Sequence, residues 1–110
     1  MARFITFFSY TGAAAKAMIE RPSDRSAAVK TLVESLGNTL ESFYWMQEKH
    51  DGFLISNLPD GVAAAGLAAA VGATGAVTGL ETHQIYDHDE QAAIVQHAAT
   101  AGKVYKPPTA

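Results

Sequence analysis

Leu40-Glu-Ser-Phe-Tyr-Trp-Met-Gln-Glu48, Lys49-His-Asp-Gly52, Phe53-Leu-Ile-Ser-Asn-Leu58 reads as strand, tight turn, strand. Aromatic and β-branched residues dominate both arms, and Asp51-Gly52 offers the left-handed backbone that a short hairpin turn demands. With the turn centred on Lys49 and His50, Met46 faces Phe53, Trp45 faces Leu54, Tyr44 faces Ile55 and Phe43 faces Ser56. Moving the turn to Asp51-Gly52 shifts each partner by two residues and leaves the faces unchanged. Both faces carry large apolar groups, so the pattern does not say which one meets the helices.

Upstream of the hairpin, Ser23 is the expected N-cap of a helix, with Asp24 in its first turn where the helix dipole favours an acid. Ala28, Val29, Leu32, Val33 and Leu36 then form one stripe of a 3.6-residue period, and Gly37 supplies a left-handed stop. Arg21-Pro22 separates this helix from Thr11 to Glu20, an Ala-rich connector in which Ala15, Met18 and Ile19 suggest a short helical turn. Arg3 to Tyr10 reads as the first strand, with Phe4, Thr6 and Phe8 on one face and Ile5 and Phe7 on the other.

Downstream, Pro59-Asp60 ends the hairpin and Asp60 is the expected N-cap of a second helix. Val62, Leu67 and Val71 are the large apolar groups of that helix, set among alanines that let it approach a sheet closely. Ala76 to Tyr86 reads as the fourth strand, with Glu81 and His83 on one face and Thr78, Leu80, Thr82 and Gln84 on the other. Asp87-His88-Asp89-Glu90 has the form of a capping box. The helix after it turns Ala93, Ile94, His97, Ala98 and Ala101 inward, which makes His97 a core histidine.

The order is β-α-β-β-α-β with a C-terminal helix, an α+β pattern of the ferredoxin-like, split βαβ kind. Residues 1–102 are expected to form one domain and 103–110 a tail. In this architecture helices cover one sheet face and leave the other bare. A bare face rich in aromatic groups calls for a partner. A second copy packed sheet against sheet would make a dimeric α/β barrel, so a homodimer or higher oligomer is expected.

Composition removes several classes of function. The net charge is -3, and eight Lys and Arg are spread from Arg3 to Lys106. No basic patch holds a nucleic-acid backbone, so nucleic acid is not an expected partner. No cysteine is present, which excludes disulfides and thiolate chemistry and suits a reducing cytoplasm. The first ten residues include Arg3, Thr6 and Ser9 and read as a strand rather than an export signal. Val62 to Val77 lacks charge but is shorter than the ~20 residues a span requires, so no membrane segment is expected.

In several short stretches the chain resembles the GYD-domain family. These are Tyr10-Thr11-Gly12 at the end of strand one, Arg21-Pro22-Ser23-Asp24-Arg25 at the helix opening, Gly37, Tyr44, Asp51, Pro59-Asp60, and Thr78 with Thr82. The Gly-Tyr-Asp that names the family corresponds here to Lys49-His50-Asp51, of which the aspartate is kept. The resemblance covers about residues 2 to 100 and implies the dimeric α/β-barrel fold. It implies no particular activity, because the family has none firmly assigned.

Glu81 and His83 point the same way on one strand and would form an acid–base pair in a partly dry cavity. The plainer reading is that Glu81 orients His83, or that both sit at a rim. Tyr10, Phe43, Tyr44 and Trp45 are candidates to wall a pocket for a flat ligand, or are plain core. The candidate ligand-binding set is therefore Tyr10, Tyr44, Trp45, Glu81 and His83, with His50 and Asp51 as a turn motif. No metal site is expected, since His83, Asp87, His88 and Asp89 lack ligand spacing and capping accounts for Asp87 and Glu90. The glycines from Gly72 to Gly79 follow a helix instead of preceding one, so they make no phosphate loop, and no cofactor is expected. Two functions remain: a homodimeric binder of a small molecule, with or without catalysis, and a self-assembling structural or regulatory module.

Overall fold

A computed structural model describes residues 1–109. Its elements are β1 (Ala2–Tyr10), α1 (Gly12–Glu20), α2 (Arg25–Glu34), β2 (Leu40–Trp45), β3 (Gly52–Leu58), α3 (Gly61–Gly72), β4 (Val77–Ile85) and α4 (His88–Gly102). The strands make one antiparallel sheet in the order β2-β3-β1-β4. This is the ferredoxin-like arrangement expected from the order of elements.

Period-two alternation decides which side is covered. Phe4, Thr6 and Phe8 of β1 are buried, and so are Gly52, Leu54, Ser56 and Leu58 of β3. The register pairs Phe4 with Ser56, Thr6 with Leu54 and Phe8 with Gly52, so these residues share one face. Val33 of α2 and Ala64 and Leu67 of α3 pack on it with Phe4 and Leu58. Burying each of the larger side chains is worth about 1.5–3 kcal/mol. The buried Thr6 hydroxyl is satisfied by that of Thr82 across the β1–β4 pair, at 3.1 Å. The described residues place no helix over the opposite face, where Tyr44 remains 59 % exposed. No described helix is long and apolar enough to cross a membrane.

Several local expectations are corrected. Gly12–Glu20 is a nine-residue helix in place of a connector with a short helical turn, and the Thr11 hydroxyl caps it by accepting from the Ala14 amide. Asp24 takes the N-cap of α2 in place of Ser23, its carboxylate accepting from the Ala27 amide at 3.1 Å. Asp60 caps α3 as expected, but Val62 points to solvent while Ala64 and Leu67 turn inward.

The hairpin register differs by two residues from the first placement: Tyr44 pairs with Phe53, Phe43 with Leu54 and Trp45 with Gly52. The loop runs from Met46 to Asp51, and its left-handed residue is Glu48, at φ 79°. Gly52 is required for a different reason. A Cβ there would overlap the Phe8 ring and the Tyr44 carbonyl oxygen, so glycine lets β1 and β2 close around β3.

The capping box forms on α4: Asp87 accepts from the Glu90 amide at 2.8 Å, and Glu90 accepts from the Asp87 amide at 3.0 Å. Yet no residue of α4 is buried, and His97 is exposed instead of packed in a core. The helix is held by its own cap and by alanine propensity, not by an apolar face.

Candidate functional site

The packed core fills one end of the space between sheet and helices. The other end stays open as a cavity of about 310 Å³. Its floor is the helix-facing side of the sheet, Thr6, Phe8, Tyr10, Phe43, Leu54 and Leu80, and its roof comes from α2 and α3. Ala28 and Ala70 on the roof each bring only a methyl group to this space.

The floor is built from aromatic rings that fix one another. Phe8 stacks on Phe43 at 5.3 Å and meets the edges of Tyr10 at 5.4 Å and Trp45 at 5.9 Å. A second, more open hollow lies beneath α1, lined by Ala15, Met18 and Ile19 together with Trp45 and Asp51. Tyr10 and Arg25 line both spaces and so stand where they adjoin.

Asp51 sets the position of Tyr10. Its carboxylate accepts from the Tyr10 amide at 2.7 Å, and its own amide donates to the Phe8 carbonyl at 2.9 Å. This clamp lies where the β1–β4 register shifts between Ser9 and Tyr10. His50 lies beside Phe7, ring centroids 5.3 Å apart, with Nδ1 3.3 Å from the Ser9 hydroxyl.

The opposite face carries different chemistry. Ile5, Phe7, Phe53 and Ile55 make an apolar centre, with Tyr44 stacked on Phe53 at 5.5 Å. At one end Arg3 and Asn57 both donate to Glu41, at 3.1 and 2.7 Å. Asn57, then Arg3, holds the Glu41 carboxyl below its ordinary range. On the β4 side His83 Nε2 lies 3.2 Å from Glu81 Oε2, both side chains about half exposed. The His83 contact, with help from Lys49 and His50, lowers the Glu81 pKa.

A family model described as GYD domain matches residues 4–95. The chain belongs to the GYD-domain family. No curated protein and no solved structure matches it. The GYD match takes in all of the sheet but the first two residues of β1, together with α1, α2, α3 and about the first half of α4. Within the matched residues, Asp51 of the loop is the one that clamps Tyr10.

The candidate set read from sequence is divided by the sheet. Tyr10 and Trp45 lie on the helix side, whereas Tyr44, Glu81 and His83 lie on the open side. A molecule in the cavity meets Tyr10 but neither Glu81 nor His83. Among the described residues no three His, Asp or Glu side chains gather as metal ligands. Arg25 has no site role in the sequence reading, where it stands only in the stretch that opens the helix and looks like ordinary helix surface. The sequence places Phe8 and Leu80 each on one face of a strand, and nothing in the chain marks the space above them.

Proposed function

We propose that this GYD-domain protein is a homodimeric binder of a small molecule, which enters the cavity above Phe8 and Tyr10. The observation that carries this reading is the half-enclosed, mostly apolar space of about 310 Å³ with a few polar groups on its wall. Such a volume falls at the lower end of the ~300–1,000 Å³ range usual for ligand pockets. Homodimerisation buries the open sheet face, whose apolar centre and polar border of Glu41, Glu81 and His83 have the anatomy of an interface. The dimer then encloses Glu81 and His83 in a barrel and leaves the ligand cavities on its outside. A cytoplasmic setting fits a chain without cysteine.

Thermal shift against a library of metabolites tests this reading, with wild type compared to Ala70→Phe. A compound that stabilises wild type and not the filled variant is the expected result. If nothing stabilises wild type, or every hit stabilises both proteins equally, the cavity is not a binding site.

The alternative, a self-assembling module without a ligand, is favoured by one feature. An α4 with no buried residue beside a bare apolar sheet face suits a chain whose surfaces are completed by other copies.

A further inference from the structure

The cavity also carries information about the kind of molecule it suits, an argument that rests on the binding function proposed above. Of the residues lining it, Arg25 is the one with a formal charge. Apart from the Thr6, Tyr10 and Thr74 hydroxyls, the other side chains on its wall are apolar. Arg25 is half-buried and forms no ion pair among the described residues. Neither Asp24 nor Asp51 pairs with it: Asp24 accepts from Ser26 and the Ala27 amide, and Asp51 from the Tyr10 amide. Asp51 lines the adjoining hollow and is absent from the wall of the cavity itself.

A guanidinium without a counter-charge at the edge of an apolar space selects a partner of opposite sign, and its fork of donors fits a carboxylate. We infer that the ligand is an amphipathic monocarboxylate, its hydrocarbon or aromatic body over Phe8, Phe43 and Leu80 and its carboxylate on Arg25. Burial of the body supplies affinity, and the charge pair supplies orientation. A neutral molecule of the same shape loses the pairing. A cation meets repulsion from the same group.

Trp45 is the one tryptophan of the chain and sits in the aromatic cluster beside the cavity, so its fluorescence reports occupancy without any assumption about activity. The probes are octanoate, 1-octanol and octylamine, titrated against wild type, Arg25→Gln, Arg25→Lys and Ala70→Phe. Octanoate is expected to bind about tenfold more tightly than octanol, the size of one modest charge-assisted contact, with octylamine weakest. Arg25→Gln should erase the preference for octanoate while leaving octanol binding in place, and Arg25→Lys should keep part of it. Equal affinities for octanoate and octanol, or a preference that survives Arg25→Gln, overturn the carboxylate assignment. If Ala70→Phe still blocks those probes, the cavity itself stands as a site. No saturable signal from any probe, or binding that Ala70→Phe leaves untouched, overturns the binding function and the carboxylate assignment together.

Discussion

Replacing Gly52 by Ala separates two accounts of the hairpin. If Gly52 served a left-handed turn, the cost would be local backbone strain. The structure instead puts Phe8 and the Tyr44 carbonyl in the space a Cβ would take. Phe8 is 4 % exposed and held by Phe43, Tyr10 and Trp45, so its ring gives way only toward the cavity it floors and at the cost of those contacts. The carbonyl belongs to the β2–β3 ladder and moves only if the strands part. Overpacking of a tight core costs about 1–3 kcal/mol, and the backbone overlap puts Gly52→Ala at the upper end. For a chain of this size, about 3 kcal/mol lowers Tm by roughly 10–20 °C. Urea unfolding followed by Trp45 fluorescence measures the loss directly. Glu48→Gly is the matched control, because Glu48 holds the left-handed position. Relief of about 1 kcal/mol of strain there roughly offsets the extra chain entropy of glycine, so its stability stays close to wild type. A Gly52→Ala protein within about 0.5 kcal/mol of wild type would refute the close-packing account.

Three other outcomes are expected. Lowered Glu41 pKa means that its bonds to Asn57 and Arg3 contribute stability above the ordinary glutamate value of 4.5 and lose it as pH falls further. Glu41→Gln should therefore flatten the stability profile in that acid range, and an unchanged profile from denaturant melts between pH 6 and 3 contradicts the assignment. Tyr44→Glu places a charge on the open sheet face and should block self-association in light scattering, whereas Trp45→Glu, on the helix side, should disturb the aromatic cluster and leave association intact. A wild-type protein that is monomeric at micromolar concentration, or a dimer untouched by Tyr44→Glu, removes the barrel dimer. In hydrogen exchange, α4 amides should exchange by local opening, far faster than those of β1 and β3, since no α4 residue is buried. Equal protection in α4 and β1 would show that the helix is covered in solution.

Where side chains speak for their own backbone, the chain was easy to read. Asp60 and the Asp87–Glu90 pair are caps as their spacing suggests, and Gly37 has the positive φ of a helix stop. What depends on distant neighbours was harder. Gly52 beside Asp51 looks like a turn residue, but its role is decided by Phe8, more than forty positions away. Alanine-rich α4 shows an inward stripe by periodicity, yet nothing in that pattern supplies an element for the stripe to meet. The site suffered most from the symmetry of the strands. With phenylalanines at both Phe7 and Phe8, either face suits a core, so Tyr10 and Trp45 were grouped with Glu81 and His83 across a sheet that separates them. The interest of Arg25 comes from the placement of α2 over the aromatic floor, where it forms no ion pair among the described residues.

The alanine roof places the dimensions of the cavity on the helices and its chemistry on the strands. A single exchange at Ala28 or Ala70 for valine, leucine or methionine would trim the room available without disturbing a ring, a ladder bond or the Asp51 clamp. Such a chain can change the size of that space in small steps, because the part that sets its dimensions is separate from the part that holds the fold.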